Sequence, residues 1–330
     1  MQSAMDHRRG AHLRTLEDLD ADELMALLRL AAELKSDHHA HSVALRGRTV
    51  LLQFDRPSTR TRLSFEAAVA RLGGATSFVA GGDAPLGVRE PIRDLARVAS
   101  RYCAAVVLRT GAQATVDEFA SWSAVPVING LTDRHHPVQA LADLQTLTER
   151  FGGATGLDLA FVGDGGSNIA HSLIQACALV GAWLRIACPA GHAPDPAILA
   201  AGQARAADAG GQVVLLDEPR EAVAGVQAVY TDVFVSMGEE DRRQEKLATL
   251  APYRVTTELF ELAAADAVFL HCLPAHRGEE VDDEVLEGPR SAVWDQAENR
   301  LHTAAALLVT LLGRGTDGGD DDDAFGLDIV

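Results

Sequence analysis

The stretch Thr49-Val50-Leu51-Leu52-Gln53-Phe54, continued by Asp55-Arg56-Pro57-Ser58-Thr59-Arg60-Thr61-Arg62, decides how the rest of the chain is read. A short apolar run bounded by a polar turn has the character of a strand buried on both faces. Ser58 is a natural N-cap, so a helix starts at once, with free N–H groups and a positive dipole end beside the strand end. Arg60 and Arg62 in the first turn oppose that dipole, where a helix normally takes carboxylates. A bound anion, most simply a phosphate, resolves the conflict. The competing reading is a surface helix start whose arginines pair with nearby acids such as Glu66.

The same strand, loop and helix pattern repeats outward from there. Residues 104–108 and 125–129 read as further buried parallel strands, and a second series follows at 158–162, 184–188, 213–216, 228–231 and 267–271. Helical patterns cover 21–35, 137–150 and 298–312, the last stopping at Gly313. This grammar predicts an α/β protein of two domains, each a mainly parallel sheet flanked by helices. The boundary falls in the helix 137–150 or in the Gly152-Gly153 turn after it.

With 330 residues, 47% hydrophobic and 23% charged, the chain is long enough for two ordinary domains and has globular composition. Lys plus Arg total 29 against 47 for Asp plus Glu, a formal net charge of -18. Nucleic acid and anionic membrane are therefore excluded as partners. Six of the acids lie at 317–328 with no basic residue among them, so 315–330 reads as an acidic, disordered tail. The start, residues 1–13, lacks the apolar core of a signal peptide, and residues 172–189 read as a helix and a strand rather than a membrane span. Cys103, Cys177, Cys188 and Cys272 form neither a zinc set nor a disulfide framework. His38, His39 and His41 lack supporting ligands, so no metal site is expected. A cytoplasmic location follows as the expectation.

If the first sheet is parallel, two more elements reach the edge that Ser58 to Arg62 occupies. Arg109 ends one strand, and His136-Pro137-Val138-Gln139 follows another, with Pro137 suited to the first helical position. Ligands of open α/β sheets bind outside the carboxyl ends of the strands, which places these groups on one crevice. In the second half, Gly163-Asp164-Gly165-Gly166-Ser167-Asn168 could be a dinucleotide loop. However, Asn168 stands where the third glycine belongs, and the next strand ends in Pro189 rather than an acid. Cys272 beside His271 invites a thiol-nucleophile reading, but adjacent strand residues face opposite ways, so His271 cannot readily activate it.

With these segments in view, the chain resembles the aspartate/ornithine carbamoyltransferase family, and within it the ornithine carbamoyltransferases. The resemblance spans about residues 12–312. It rests on Ser58-Thr59-Arg60-Thr61-Arg62, His136-Pro137-Val138-Gln139-Ala140-Leu141-Ala142-Asp143, Asp232-Val233-Phe234-Val235-Ser236-Met237-Gly238, His271-Cys272-Leu273-Pro274 and Glu298-Asn299-Arg300-Leu301-His302. These motifs stand in family order and at family spacing.

The resemblance implies carbamoyl transfer from carbamoyl phosphate to the side-chain amine of L-ornithine, giving L-citrulline and phosphate within arginine metabolism, without metal or organic cofactor. It implies that Ser58, Thr59, Arg60 and Thr61 hold the phosphate and that Arg109 bridges phosphate and carbonyl oxygen. His136 and Thr61 would polarise that carbonyl, while Gln139, the backbone around Cys272 and Leu273, and Arg300 would position the carbamoyl nitrogen. Arg109, His136, Cys272 and Arg300 are thus the catalytic candidates. Asn168, Asp232, Ser236 and Met237 would take the amino-acid head of the acceptor, with Cys272 near its side-chain amine and no covalent enzyme intermediate. Physics favours this acceptor, because an α-ammonium group wants a carboxylate such as Asp232, whereas an aspartate acceptor needs cations that 232–238 does not offer.

The implied division is a carbamoyl-phosphate-binding domain at 1–140, an ornithine-binding domain at 141–297, and a C-terminal helix at 298–314 returning to the first domain. The implied assembly is a homotrimer or a multiple of trimers. Pro85 replaces a usual Gln that reaches a neighbouring subunit's site in the family, Ser167 replaces a usual Asn, and Ala305 stands where Lys is common. The alternatives are carbamoyl transfer to another amine-bearing amino acid, or a non-catalytic homologue that binds carbamoyl phosphate.

Overall fold

The computed structural model describes residues 10–82, 85–236 and 238–313. The expected tail at 315–330 and the candidate Met237 lie outside the described residues. Two parallel sheets carry the fold. The first has the order β2-β1-β3-β4, from β1 (Thr49–Phe54), β2 (Ala75–Ala80), β3 (Ala105–Arg109) and β4 (Val127–Leu131). The second has the order β7-β6-β5-β8-β9, from β5 (Asp158–Val162), β6 (Trp183–Ala187), β7 (Gln212–Leu216), β8 (Ala228–Thr231) and β9 (Val268–His271).

Burial on both faces explains the apolar runs. Along β1, Val50, Leu52 and Phe54 face the core shared with the long helices, while Leu51 faces a second apolar cluster with Val106, Leu108 and Phe119. In the second sheet Leu159 and Phe161 look one way and Ala160 and Val162 the other. This is the alternation of a strand covered by helices on either side. The edge strand β2 has no counterpart among the expected strands. Its sequence, Ala75-Thr76-Ser77-Phe78-Val79-Ala80, mixes small and polar residues because much of it remains at the surface.

The expected strands at 104–108, 125–129, 184–188, 213–216 and 267–271 lie within one or two residues of the observed bounds. Two helices cross the expected divisions. Pro137–Phe151 runs through the 140/141 boundary, and the last helix begins at Val293 rather than at 298. Its first turn carries buried Gln296, which hydrogen bonds rather than apolar periodicity hold inside, so the pattern understated its length. This last helix, Val293–Leu312, packs against the helices Ala21–Ser36, Thr59–Arg71 and Pro137–Phe151. One apolar core therefore runs from the first sheet through Pro137–Phe151 into the helix Asn168–Val180 of the second. Among the described residues, no helix is long and apolar enough to cross a membrane.

The helices Asn168–Val180 and Pro196–Asp208 meet at Gly202, where an added Cβ would lie 2.1 Å from Ile174 Cγ2. Gly202→Ala is therefore expected to lower stability by about 1–3 kcal/mol, the usual cost of overpacking. A urea-denaturation midpoint equal to that of the parent chain would contradict this close approach.

Candidate active site

Strand register decides which side chains meet. Phe54 pairs with Arg109 across β1 and β3, so the Ser58 helix start and Arg109 emerge at neighbouring strand ends. The sheet order reverses direction between β1 and β3, and again between β5 and β8 in the second sheet, which makes both places topological switch points. The loops leaving these ends line a single cavity of about 680 Å³. Ser58, Thr59, Arg60, Thr61, Arg109 and His136 come from the first half, and Asn168, Asp232, Ser236, Cys272 and Leu273 from the second. Arg300 reaches it from the last helix.

The first-half groups gather positive charge at the cavity. Ser58 caps the helix Thr59–Arg71, its Oγ accepting from the Thr61 N–H at 3.3 Å, and no acid sits in the first turn. Among the described residues no carboxylate lies within ion-pair distance of Arg60, Arg109 or Arg300. Arg109 is 6% exposed and its Nε has no hydrogen-bond partner among the described residues. Its pKa is pushed down to about 9 by burial and then by Arg300, with Arg56 and Arg60 adding to the stress. Burial also lowers Arg60. A guanidinium does not surrender its proton near neutrality, so these groups remain cationic, and an anion would complement them. Arg62 behaves otherwise: its Nε meets Glu66 at 2.8 Å and its guanidinium lies 3.8 Å over the Phe78 ring. The surface reading therefore describes Arg62, whereas Arg60 lines the cavity.

Behind the cavity wall runs a buried polar network. Arg300 donates from Nη1 to Gln139 Oε1 at 2.5 Å and from Nη2 to Thr61 Oγ1 at 3.0 Å. Gln139 Nε2 donates to Asp143 Oδ1 at 2.8 Å, and Gln296 Nε2 to the same oxygen at 2.6 Å. Gln139, expected on the crevice, is thus a member of this supporting network and is absent from the cavity lining. His136 is buried, its Nδ1 unpartnered among the described residues, and its pKa is held well below the ordinary value by burial and by Arg300 and Arg109. It stays neutral at physiological pH, able to present an N–H without adding charge.

The second-half groups complement these. Asp232, just beyond β8, accepts from the Cys272 thiol at 3.0 Å and from the Val233 N–H at 2.8 Å. Burial raises its pKa. Burial and the adjacent Asp232 charge push the Cys272 thiol well above its usual range, so it is no thiolate nucleophile. His271 turns away: its ring nitrogens engage the Leu273 N–H and Glu280 instead. Asn168 Nδ2 donates to the Thr132 carbonyl at 2.7 Å, tying the two halves across the cavity, and the Ser236 N–H donates to Glu239.

Sequence reasoning passed over a buried cation here. Lys246 Nζ reaches Asp164 and Glu239 at 2.6 Å each. Burial opposes its charge, but the two carboxylates outweigh that and raise its pKa. It thereby joins the Asp164 loop to the Ser236 loop. Arg56, Arg243 and His276 also line the cavity. Arg56 adjoins the Ser-Thr-Arg-Thr-Arg motif, a signal that was legible, whereas nothing local marks Lys246, whose partners lie 82 and 7 residues away. Among the described residues, ligating atoms of His276, Glu279 and Glu280 lie within 4.8 Å of one another. Arg243 already pairs with Glu279, and Glu280 accepts from the His276 N–H, so protein donors occupy much of this group.

Two family models match the chain. One, described as aspartate/ornithine carbamoyltransferase, carbamoyl-P binding domain, covers residues 11–149. The other, described as the Asp/Orn binding domain of the same family, covers residues 155–311. A curated ornithine carbamoyltransferase of Acidothermus cellulolyticus is 48% identical over 308 residues, 92% of this chain and 98% of its own length. One of Gloeobacter violaceus is 47% identical over 301 residues, 91% and 95%. The solved ornithine carbamoyltransferase from Pyrococcus furiosus superposes with a TM-score of 0.89 at 42% identity, covering 92% of this chain and 97% of that one.

Burial pushes the Asp143 carboxyl up to about 6 from an ordinary 3.8, with Gln296 and Gln139 limiting the rise. A raised pKa stabilises the fold below the unfolded value, and that contribution is lost as pH rises through the folded value. Wild type should therefore lose about 3 kcal/mol relative to Asp143→Asn between about pH 4 and 6. Urea titrations at several pH values measure this, and a pH-independent difference between the two proteins would contradict it.

Proposed function

The chain belongs to the aspartate/ornithine carbamoyltransferase family, and we propose that it transfers the carbamoyl group of carbamoyl phosphate to the side-chain amine of L-ornithine. The products are L-citrulline and inorganic phosphate. One observation carries this reading: a single cavity gathers Arg60, Arg109 and Arg300, which have no carboxylate ion-pair partner among the described residues, with the neutral His136 imidazole and the buried Asp232 carboxylate.

In this reading Ser58, Thr59, Arg60 and Thr61 hold the phosphate through the helix N-terminus and the Arg60 charge. Arg109 spans phosphate and carbonyl oxygen, and the His136 N–H with the Thr61 hydroxyl polarises that oxygen. Arg300, held from behind by Gln139, and the backbone of Cys272 and Leu273 orient the carbamoyl group. Asp232 receives the α-ammonium of ornithine, with Asn168, Ser236 and Met237 around the rest of its head. The acceptor amine, once it has lost a proton, attacks the carbonyl carbon. The carbonyl electron pair moves onto oxygen and then returns as the carbon–oxygen bond to phosphate breaks; phosphate leaves with the pair of that bond and takes up the extra proton of the attacking nitrogen. Charge grows on the carbonyl oxygen while fixed donors already face it, so acceleration comes from preorganised electrostatics and from holding two reactants together. A thiol kept protonated at Cys272 supports direct attack.

The reading extends to a homotrimer, or a multiple of trimers, in the cytoplasm, serving arginine metabolism. Tyr102 and Trp122, 78% and 44% exposed at the ends of two packed helices, give apolar surface that assembly would cover. All four cysteines are free, as thiols in a reducing compartment are.

The deciding assay offers carbamoyl phosphate with ornithine, lysine, putrescine, N-acetylornithine or aspartate and measures ureido product and phosphate; no citrulline from ornithine would sink the reading. Arg109→Ala should reduce kcat by on the order of 100-fold or more. Asp232→Ala should raise the KM for ornithine roughly 10- to 100-fold with far less change for carbamoyl phosphate, and an equal loss for both substrates would count against the proposed division of roles. Light scattering should return a multiple of three times 35.0 kDa.

A further inference from the structure

We propose that the buried His271 and Glu280 pair is a positioning element of the carbamoyl site, holding the turn at Cys272 and Leu273 in the conformation that faces the cavity. This rests on the carbamoyl-phosphate reading above. Both side chains are 0% exposed, and neither lines the cavity, whereas Cys272, Leu273 and Pro274 do. Any effect of the pair on ligand must therefore pass through the turn.

The hydrogen bonds fix the logic of the pair. The Leu273 N–H donates to His271 Nδ1 at 2.8 Å. A ring nitrogen that accepts carries no proton, so the neutral imidazole has its proton on Nε2, which lies 3.2 Å from Glu280 Oε1 and donates to it. The carboxylate sets the tautomer, and the tautomer makes Nδ1 an acceptor. Glu280 Oε1 also accepts from the His276 N–H at 2.5 Å, so one buried carboxylate secures both ends of the segment 271–276.

The segment needs securing because Leu273 has φ +56°. The left-handed region is sparsely populated for a side chain other than glycine, and it persists only where the surroundings over-determine it. The bond to His271 Nδ1 is such a determinant. A second runs through the His271 N–H, which donates to Gln296 Oε1 at 2.9 Å and so joins the turn to the Asp143 network.

The test separates carbamoyl recognition from phosphate recognition. Inorganic phosphate uses the Ser58 to Thr61 and Arg109 groups alone, while carbamoyl phosphate also uses the turn. Calorimetric Kd values for both ligands should show His271→Leu losing on the order of tenfold of the preference for carbamoyl phosphate, with phosphate affinity nearly unchanged. His271→Asn, whose side-chain oxygen can accept from an N–H two residues on, should restore most of it. Glu280→Gln, which keeps an acceptor oxygen, should stay close to wild type. An unchanged preference in His271→Leu, a parallel loss of both ligands, or no advantage of His271→Asn would overturn the proposal. Independently of any variant's folding, nitrogen NMR of histidine-labelled wild type should show His271 protonated at Nε2 and not at Nδ1; the opposite tautomer would also overturn it. A wild-type protein unable to distinguish carbamoyl phosphate from phosphate would instead defeat the underlying reading, and this inference with it.

Discussion

A guanidinium withdrawn from water must find oxygen acceptors or a counter-charge, and Arg300 imposes that demand at the centre of this molecule. It is 5% exposed and meets it with the Thr61 hydroxyl and the Gln139 carbonyl oxygen, while the charge of Asp143 stands behind. Those few bonds connect the last helix to the helix Thr59–Arg71 and to Pro137–Phe151. Through Gln296 they continue to the end of β9. Because each member depends on the next, the site and the packing of the two halves are one structure: moving the last helix would leave several buried polar groups without partners at once.

The same network explains how a protein with a net charge of -18 can gather positive charge locally. Six of the acids lie at 317–328, outside the described residues, leaving about -12 elsewhere, and long-range repulsion of anions is screened over roughly 8 Å at physiological salt. Within the cavity the distances are shorter and Arg109 is buried, so Arg60, Arg109 and the helix N-terminus dominate. Parallel topology supplies the geometry. Both sheets present their carboxyl ends and switch points to the same space, which brings a cationic first half against the Asp232 carboxylate of the second.

Much of this was legible from local pattern. The strands β1, β5 and β8 fall on the bounds that their apolar runs indicate, because burial on both faces writes a continuous hydrophobic signal. The cationic helix start at the cavity was legible too, since cations in a first helical turn conflict with the dipole wherever the helix lies. The edge strand β2 was not, because an exposed edge needs no apolar run. Nor was the start of the last helix, whose buried Gln296 is held by partners 25, 66 and 153 residues away.

The sequence by itself determined the α/β class, the family and the set of polar groups at strand ends, since all of these reside in short contiguous motifs whose chemistry is local. Only the tertiary structure decided how those groups divide between wall and support: that Arg60 turns into the cavity while Arg62 pairs with Glu66, that Gln139 stands behind Arg300, that Lys246 clamps two loops, and that His271 serves Leu273 rather than Cys272. The physical reason is that burial and hydrogen-bond satisfaction belong to pairs of groups far apart in the chain, and a one-dimensional pattern carries no distance between them.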